Sequence, residues 1–276
     1  MDPDEKGLDL EAAVRDRVVE PSADAFKRLV AVMAKLRTDC PWDREQTHQT
    51  LAQHLLEETY ETLEAIDADD LDALREELGD LVLQVVFHSN IAYEEGAFTV
   101  SDVLDGLRAK LIHRHPHVFG DTEVSGPDDV KANWERIKRD EKGTGVLDGI
   151  PIALPALARA AKVYRRAVGV GFSFESVEDV IKDLEDEVAE LRAEVVGETP
   201  DLERVSSEIG DVLFSSVCVA QRMGVEPETA LRHMLERFTK RFVALESLAS
   251  SDGRELESLS KQEWEEYWKR AKELQG

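Results

Sequence analysis

The sequence repeats itself. "EETYETLEA…EELGDLVLQ" in the first half returns as "DEVAELRAE…SEIGDVLFS" in the second. Glu58 then falls on Glu187 and Glu61 on Glu190 at an offset of 129, while Glu77 falls on Glu208 and Asp80 on Asp211 at an offset of 131. Farther along, "KLIHR" (110–114) answers "RFTKR" (237–241), and "WERIK" (134–138) answers "WKRAK" (268–272). Four matches in the same order indicate a duplicated unit. Whatever one half folds into, the other must fold into as well.

That unit is helical. Leu, Val, Ala and Ile recur at three- and four-residue steps with Glu, Arg, Lys and Asp between them, and no alternating strand pattern of any length interrupts. The periodicity predicts helices near 22–38, 48–67, 69–95, 100–115 and 128–142, then 153–168, 174–196, 200–223, 226–250 and 259–274. "DCPWD" stops the first helix, Thr50 or a polar neighbour opens the second, and Ser101 is placed to cap the fourth. "GTGVLDGIPIALP" (143–155) carries the closely spaced Gly and Pro expected of a linker.

Composition narrows the function classes. With 59 acidic against 34 basic residues the formal charge is −25, a field that opposes a nucleic-acid backbone. No window approaches 18 uncharged apolar residues, so no membrane span is expected. Two cysteines, Cys40 and Cys218, form no CxxC pair, which argues against a disulfide framework or zinc ribbon. A soluble cytoplasmic protein is the expectation.

The acidic clusters invite two readings. On 48–67, Leu56, Tyr60 and Leu63 form one stripe and Glu58 and Glu61 point roughly away from it, as on an ordinary wet face. The next helix differs: Leu83 and Phe87 share the side of Asp80, so the helix is apolar nearly all round and is expected to be buried. Phe214 and Cys218 stand in the same relation to Asp211. A buried carboxylate must be protonated, paired or metal-bound. Glu77 with Asp80, and Glu58 with Glu61, each share a helix face, and two such faces opposed bring four oxygen donors together. Such a donor set suits Mg²⁺ or Mn²⁺. A di-iron bundle would need Glu-x-x-His on two helices, and within the acidic clusters no Glu is followed by His at that step.

A cation held by carboxylates is poised to bind phosphates, which need cationic partners too. Lys110 and Arg114, and Arg237 and Arg241, are pairs one turn apart; Trp134 and Lys138, and Trp268 and Lys272, add a ring and a cation. "HRHPH" (113–117) reads as helix-end capping and packing rather than as a metal site, because Pro116 breaks the element. Cys40 reads as a buried thiol at a turn.

Taken together, "CPWDREQTHQTL", "LLEETYETLEAI", "EELGDLVLQVVFH", "RHPHVFGD", "GIPIALPALARAAKV", "GFSFES" and "SEIGDVLFS" resemble the MazG family of nucleoside triphosphate pyrophosphohydrolases, from about residue 26 to the end. The resemblance implies an all-α chain of tandem MazG-like four-helix-bundle domains, 22–142 and 156–276 joined by 143–155, with bundles completed by homodimerisation. It implies Mg²⁺-dependent hydrolysis of nucleoside triphosphates between the α and β phosphates, in nucleotide-pool cleaning or stress response. By resemblance the metal ligands fall on Glu187, Glu190, Glu208 and Asp211, which are also the catalytic residues, and equally on Glu58, Glu61, Glu77 and Asp80. The triphosphate contacts fall on Arg237, Arg241, Trp268 and Lys272, with Lys110, Arg114, Trp134 and Lys138 as first-half counterparts. Two positions depart from the family pattern: Asp186 replaces the first Glu of the doubled pair, and Arg237 replaces a Lys. The second half is the expected catalytic unit. The alternatives are a nucleotide- or alarmone-binding regulator without turnover and a helical interaction protein with no site.

Overall fold

Several of the long helices begin where a side chain supplies an oxygen for the unpaired N–H groups. In the computed structural model, which describes residues 19–142, 145–196 and 200–275, Thr47, Thr99 and Ser176 each close a reciprocal capping box with Thr50, Asp102 and Asp179. Asp70 and Asp201 cap the helices that carry the second acidic motif of each half. Thr99 therefore does the work expected of Ser101, which lies inside the helix.

The described helices are α1 (Val19–Asp39), α2 (Pro41–Glu45), α3 (His48–Asp67), α4 (Leu71–Glu94), α5 (Val100–Arg114), α6 (Pro116–Phe119) and α7 (Pro127–Lys142). There follow α8 (Ala156–Val168), α9 (Val177–Val195), α10 (Leu202–Arg222), α11 (Pro227–Ser251) and α12 (Lys261–Gln275), with a 3-10 turn at Leu256–Ser258. The short helices α2 and α6 are absent from the periodicity reading. Both start on proline, whose fixed φ suits the first helical position even where it ends the helix before it. None of the described helices is long and apolar enough to cross a membrane.

The chain divides into two compact units, Met1–Glu141 and Lys142–Gly276. In the first, α3 lies along α4 and α1 covers their far end. Met33, Leu51, Val86, Phe87 and Ile91 form its core. Arg37 locks that end: its guanidinium grips Glu94 at 2.9 and 2.5 Å, donates to the carbonyls of Gln46 (3.0 Å) and Asp43, and lies over the Phe87 ring.

In the second unit α9 lies along α10, with α8 across them. Tyr164, Val180 and Cys218 form the seam's core. Separately, α11 and α12 make a hairpin around Leu245, Ala249, Leu259, Tyr267 and Ala271. Arg166 donates to the carbonyls of Val146 (3.2 Å) and Asp148 (2.5 Å), which ties the segment after residue 145 to this unit. Gly96 and Gly224, both with φ near +70°, end α4 and α10 in the same left-handed turn, so the duplication extends to backbone detail.

Candidate metal centres and phosphate contacts

The inner face of α3 is not the stripe expected from its sequence. Leu51, Thr62 and Ala65 are buried, whereas Leu56 is 55% and Tyr60 46% exposed. Glu58 falls seven residues after Leu51 and four before Thr62, so it points into the seam with α4. On α4 the seam runs Glu77, Asp80, Gln84, Phe87 and Ile91. On α9 and α10 it runs Val180, Asp183 and Glu187 against Glu208, Ser215 and Cys218.

Two triads result. Carboxylate oxygens of Glu58, Glu77 and Asp80, all half-buried, lie within 4.8 Å of one another, and so do those of Glu187, Glu190 and Glu208. The fourth acid of each set lies just outside. Glu61 is exposed on α3, and Asp211 is exposed on α10. The expected burial of Asp211 is thus corrected. Ile209, Leu213 and Phe214 are 45%, 51% and 37% exposed, so that side of α10 is left uncovered among the described residues. Asp80 is half-buried, with Phe87 buried and Leu83 partly covered.

The outlying acids still act on the triads. Burial, then the charges of Asp80 and Glu61, raise the Glu58 carboxyl above its ordinary range. Glu77 is raised by partial burial and then by Glu61, Asp80 and Glu58. Glu187 is raised in the same way, with Asp211 the largest charge contribution. All four acids of each set therefore share one electrostatic neighbourhood, in which like charges and partial burial raise the proton affinity of Glu58, Glu77 and Glu187. The fit to a hard divalent cation rests on that repulsion and on a donor set made of oxygen alone. The single Glu-x-x-His of the sequence, Glu45 to His48, spans the break between α2 and α3 and contributes to neither triad.

The phosphate candidates lie elsewhere in each unit. Arg237 is exposed and Arg241 half-buried on α11, and neither meets a carboxylate among the described residues. Trp268 packs on Phe238 (5.2 Å between centroids) with Lys272 at 5.9 Å from its ring centre, so these residues gather on the α11–α12 hairpin. In the first unit Arg114 is engaged by Glu141 and lies over Trp134 at 5.5 Å. Lys110 is exposed and Lys138 half-buried. The histidines of "HRHPH" cap and pack as expected: His115 Nδ1 meets the Leu111 carbonyl at 2.6 Å and its ring meets Trp134 edge-on.

Several seam residues escape sequence reasoning. Ser215 Oγ donates to Asp183 at 2.8 Å, tying α9 to α10 one turn from Glu187. Cys218 is buried there, its thiol pushed up to about 11 by burial and then by Asp183. Cys40, expected to be buried, is only half-buried at the α2 N-terminus. In the first unit the rings of His48 and His88 stack in parallel, with their Nδ1 atoms 2.7 Å apart. Burial, then His48, lowers the His88 imidazole. The readable signals were Asp183 four residues before Glu187 and Ser215 seven after Glu208, both on one helical face.

The fold is thus a duplicated helix pair that brings acidic side chains together on each seam, in clusters that could hold a metal ion. The sequence profile of the MazG nucleotide pyrophosphohydrolase domain matches residues 46–119 and 175–243, which hold both acid sets. The chain belongs to the MazG family. It is 44% identical over 252 residues to the nucleoside triphosphate pyrophosphohydrolase/pyrophosphatase MazG of Thermotoga maritima, covering 90% of this chain and 95% of that one. It is 40% identical over 252 residues to the nucleoside triphosphate pyrophosphohydrolase of Escherichia coli K12, covering 89% and 96%. A crystal structure of a mazG-related protein from Thermotoga maritima aligns with 41% of this chain and 98% of that one at 25% identity, with a TM-score of 0.37, too low to bear on the fold.

Proposed function

We infer that this protein is a nucleoside triphosphate pyrophosphohydrolase, and that it cleaves between the α and β phosphates. Its relatives are so named over nearly their whole length. The observation that carries the chemistry is the convergence of Glu187, Glu190 and Glu208 within 4.8 Å, repeated by Glu58, Glu77 and Asp80. The catalytic and metal-holding set is Glu187, Glu190, Glu208 and Asp211, and the first-unit set is Glu58, Glu61, Glu77 and Asp80. Bound there, Mg²⁺, or Mn²⁺ in its place, supplies charge neutralisation and polarisation of a phosphoryl oxygen.

The protein's part is to place the groups. A carboxylate of the set orients a water in line with the α-phosphorus. The water oxygen bonds to phosphorus as the bond to the β-bridging oxygen breaks, and the water's proton passes to solvent through that carboxylate. Arg237, Arg241 and Lys272 stabilise the charge on the departing pyrophosphate, with Trp268 against the nucleotide. Pyrophosphate release in Mg²⁺ that stops in EDTA and returns with added Mg²⁺ is the expected result. Turnover unaffected by EDTA would exclude the carboxylate reading. The physiological role that fits such an activity is sanitation of the nucleotide pool or a stress response.

The domains are 22–142 and 156–276, and each bundle is completed in a homodimer. Leu104, Leu107 and Leu111 on α5, and Ile209, Leu213, Leu231, Met234 and Leu235 on α10 and α11, all stay more than 40% exposed in one chain. Apolar surface this extensive is usually covered by association. Light scattering is expected to give twice the 31.0 kDa chain mass; a monomer at micromolar concentration would overturn this.

A further inference from the structure

The first unit carries its own anion. The Glu141 carboxylate receives Arg114 Nε at 3.2 Å to each oxygen and Arg114 Nη2 at 2.5 Å, and His113 Nε2 stands 3.6 Å away. The Arg114 side chain is only 11% exposed, sandwiched between Glu141 and the Trp134 ring. Arg114 with Lys110 holds the place in this unit that Arg241 with Arg237 holds in the second. There the register from Trp134 to Trp268 brings Glu141 onto Gln275, a residue without charge. No carboxylate pairs with Arg237 or Arg241 among the described residues.

A guanidinium meets carboxylate and phosphate with the same two-pronged geometry, so one excludes the other. We propose that Glu141 is a built-in counter-anion occupying the first unit's phosphate cations, so that a polyphosphate binds there only by displacing it. The proposal rests on the nucleotide-hydrolase reading above and assigns to one residue a part of the expected difference between the two units. The Glu141 carboxyl is held below its ordinary range chiefly by the hydrogen bond from Arg114, with smaller contributions from His113 and Lys110.

The test uses the full chain with Arg237→Ala and Arg241→Ala, which removes the second unit's cations, and inorganic tripolyphosphate with Mg²⁺ as the calorimetric probe. Adding Glu141→Gln is expected to tighten binding about tenfold or more, since a neutral amide no longer competes for the guanidinium. Adding Arg114→Ala on top is expected to remove the gain. Unchanged or weaker binding in a Glu141→Gln protein that melts normally overturns the proposal. If Glu141→Gln melts early, Glu141→Asp, which keeps the charge but shortens the reach, takes its place. A gain of about threefold is then expected, and no gain overturns the proposal. Pyrophosphate release by the unaltered enzyme is read separately. Its absence would sink the hydrolase reading, whereas an active enzyme with an indifferent Glu141 sinks only the counter-anion.

Discussion

Glu208→Ala combined with Asp211→Ala is expected to lower triphosphate hydrolysis by about two to three decades, and Glu77→Ala combined with Asp80→Ala by less than about threefold. A catalytic cation contributes several kcal/mol at the transition state, and each 1.36 kcal/mol is about tenfold in rate. Both units converge carboxylates, so acids alone do not separate them. The cations do: Arg114 is already engaged by Glu141, and only twenty residues separate it from Trp134 against twenty-seven between Arg241 and Trp268. Misplacement of about 1 Å can cost on the order of a hundredfold. The loss should not come from unfolding, because alanine at these positions relieves repulsion within the set. In EDTA the second-unit variant should melt no lower than the parent. A dead first-unit variant would put the working site in the other half.

Divalent cations are expected to raise the melting midpoint substantially at pH 7–8 and hardly at all near pH 4.5. Glu58, Glu77 and Glu187 have raised proton affinity in the fold, through partial burial and each other's charges. For raised carboxylates the folded state binds protons more tightly than the unfolded chain. Metal-free stability therefore falls as pH rises from the ordinary carboxylate range through the folded values. At neutral pH that repulsion is fully present and a cation relieves it; in acid, protons already do. At a hundredfold excess over the dissociation constant the linkage is about 2.7 kcal/mol. Paired acids act with the opposite sign. Glu94 is lowered mainly by its bond from Arg37, and Asp252 by Arg270 and then Tyr267. Their stabilisation is present above the unfolded range and lost on acidification. The difference between melts with Mg²⁺ and with EDTA cancels this background. A difference independent of pH would contradict the cluster as the binding site.

Helix bodies were legible because periodicity marks them, while the starts at Thr47, Asp70, Ser176 and Asp201 were seen only in the structure. Two caps were read late, Thr50 for Thr47 and Ser101 for Thr99, because a reciprocal bond joins each true cap to the residue three positions on, Thr50 or Asp102. The acid sets were legible because the duplication repeats them. Which face turns inward was less so: Leu56 is as apolar as Leu51, yet Leu51 is buried and Leu56 is 55% exposed. Asp211 looked buried for that reason. Glu141 was hidden by distance, since it meets Arg114 across 27 residues with no local pattern. Only the mismatch of Glu141 with Gln275 in the repeat alignment could have disclosed it.

Whether the carboxylate sets serve cleavage between the α and β phosphates is read from a chromatographic account of products from purified protein, a nucleoside triphosphate and Mg²⁺. Monophosphate and pyrophosphate in equal amounts, formed by the parent and by the first-unit variant but not by Glu208→Ala with Asp211→Ala, is the predicted result. Diphosphate with orthophosphate, or equal product from the second-unit variant, would contradict it.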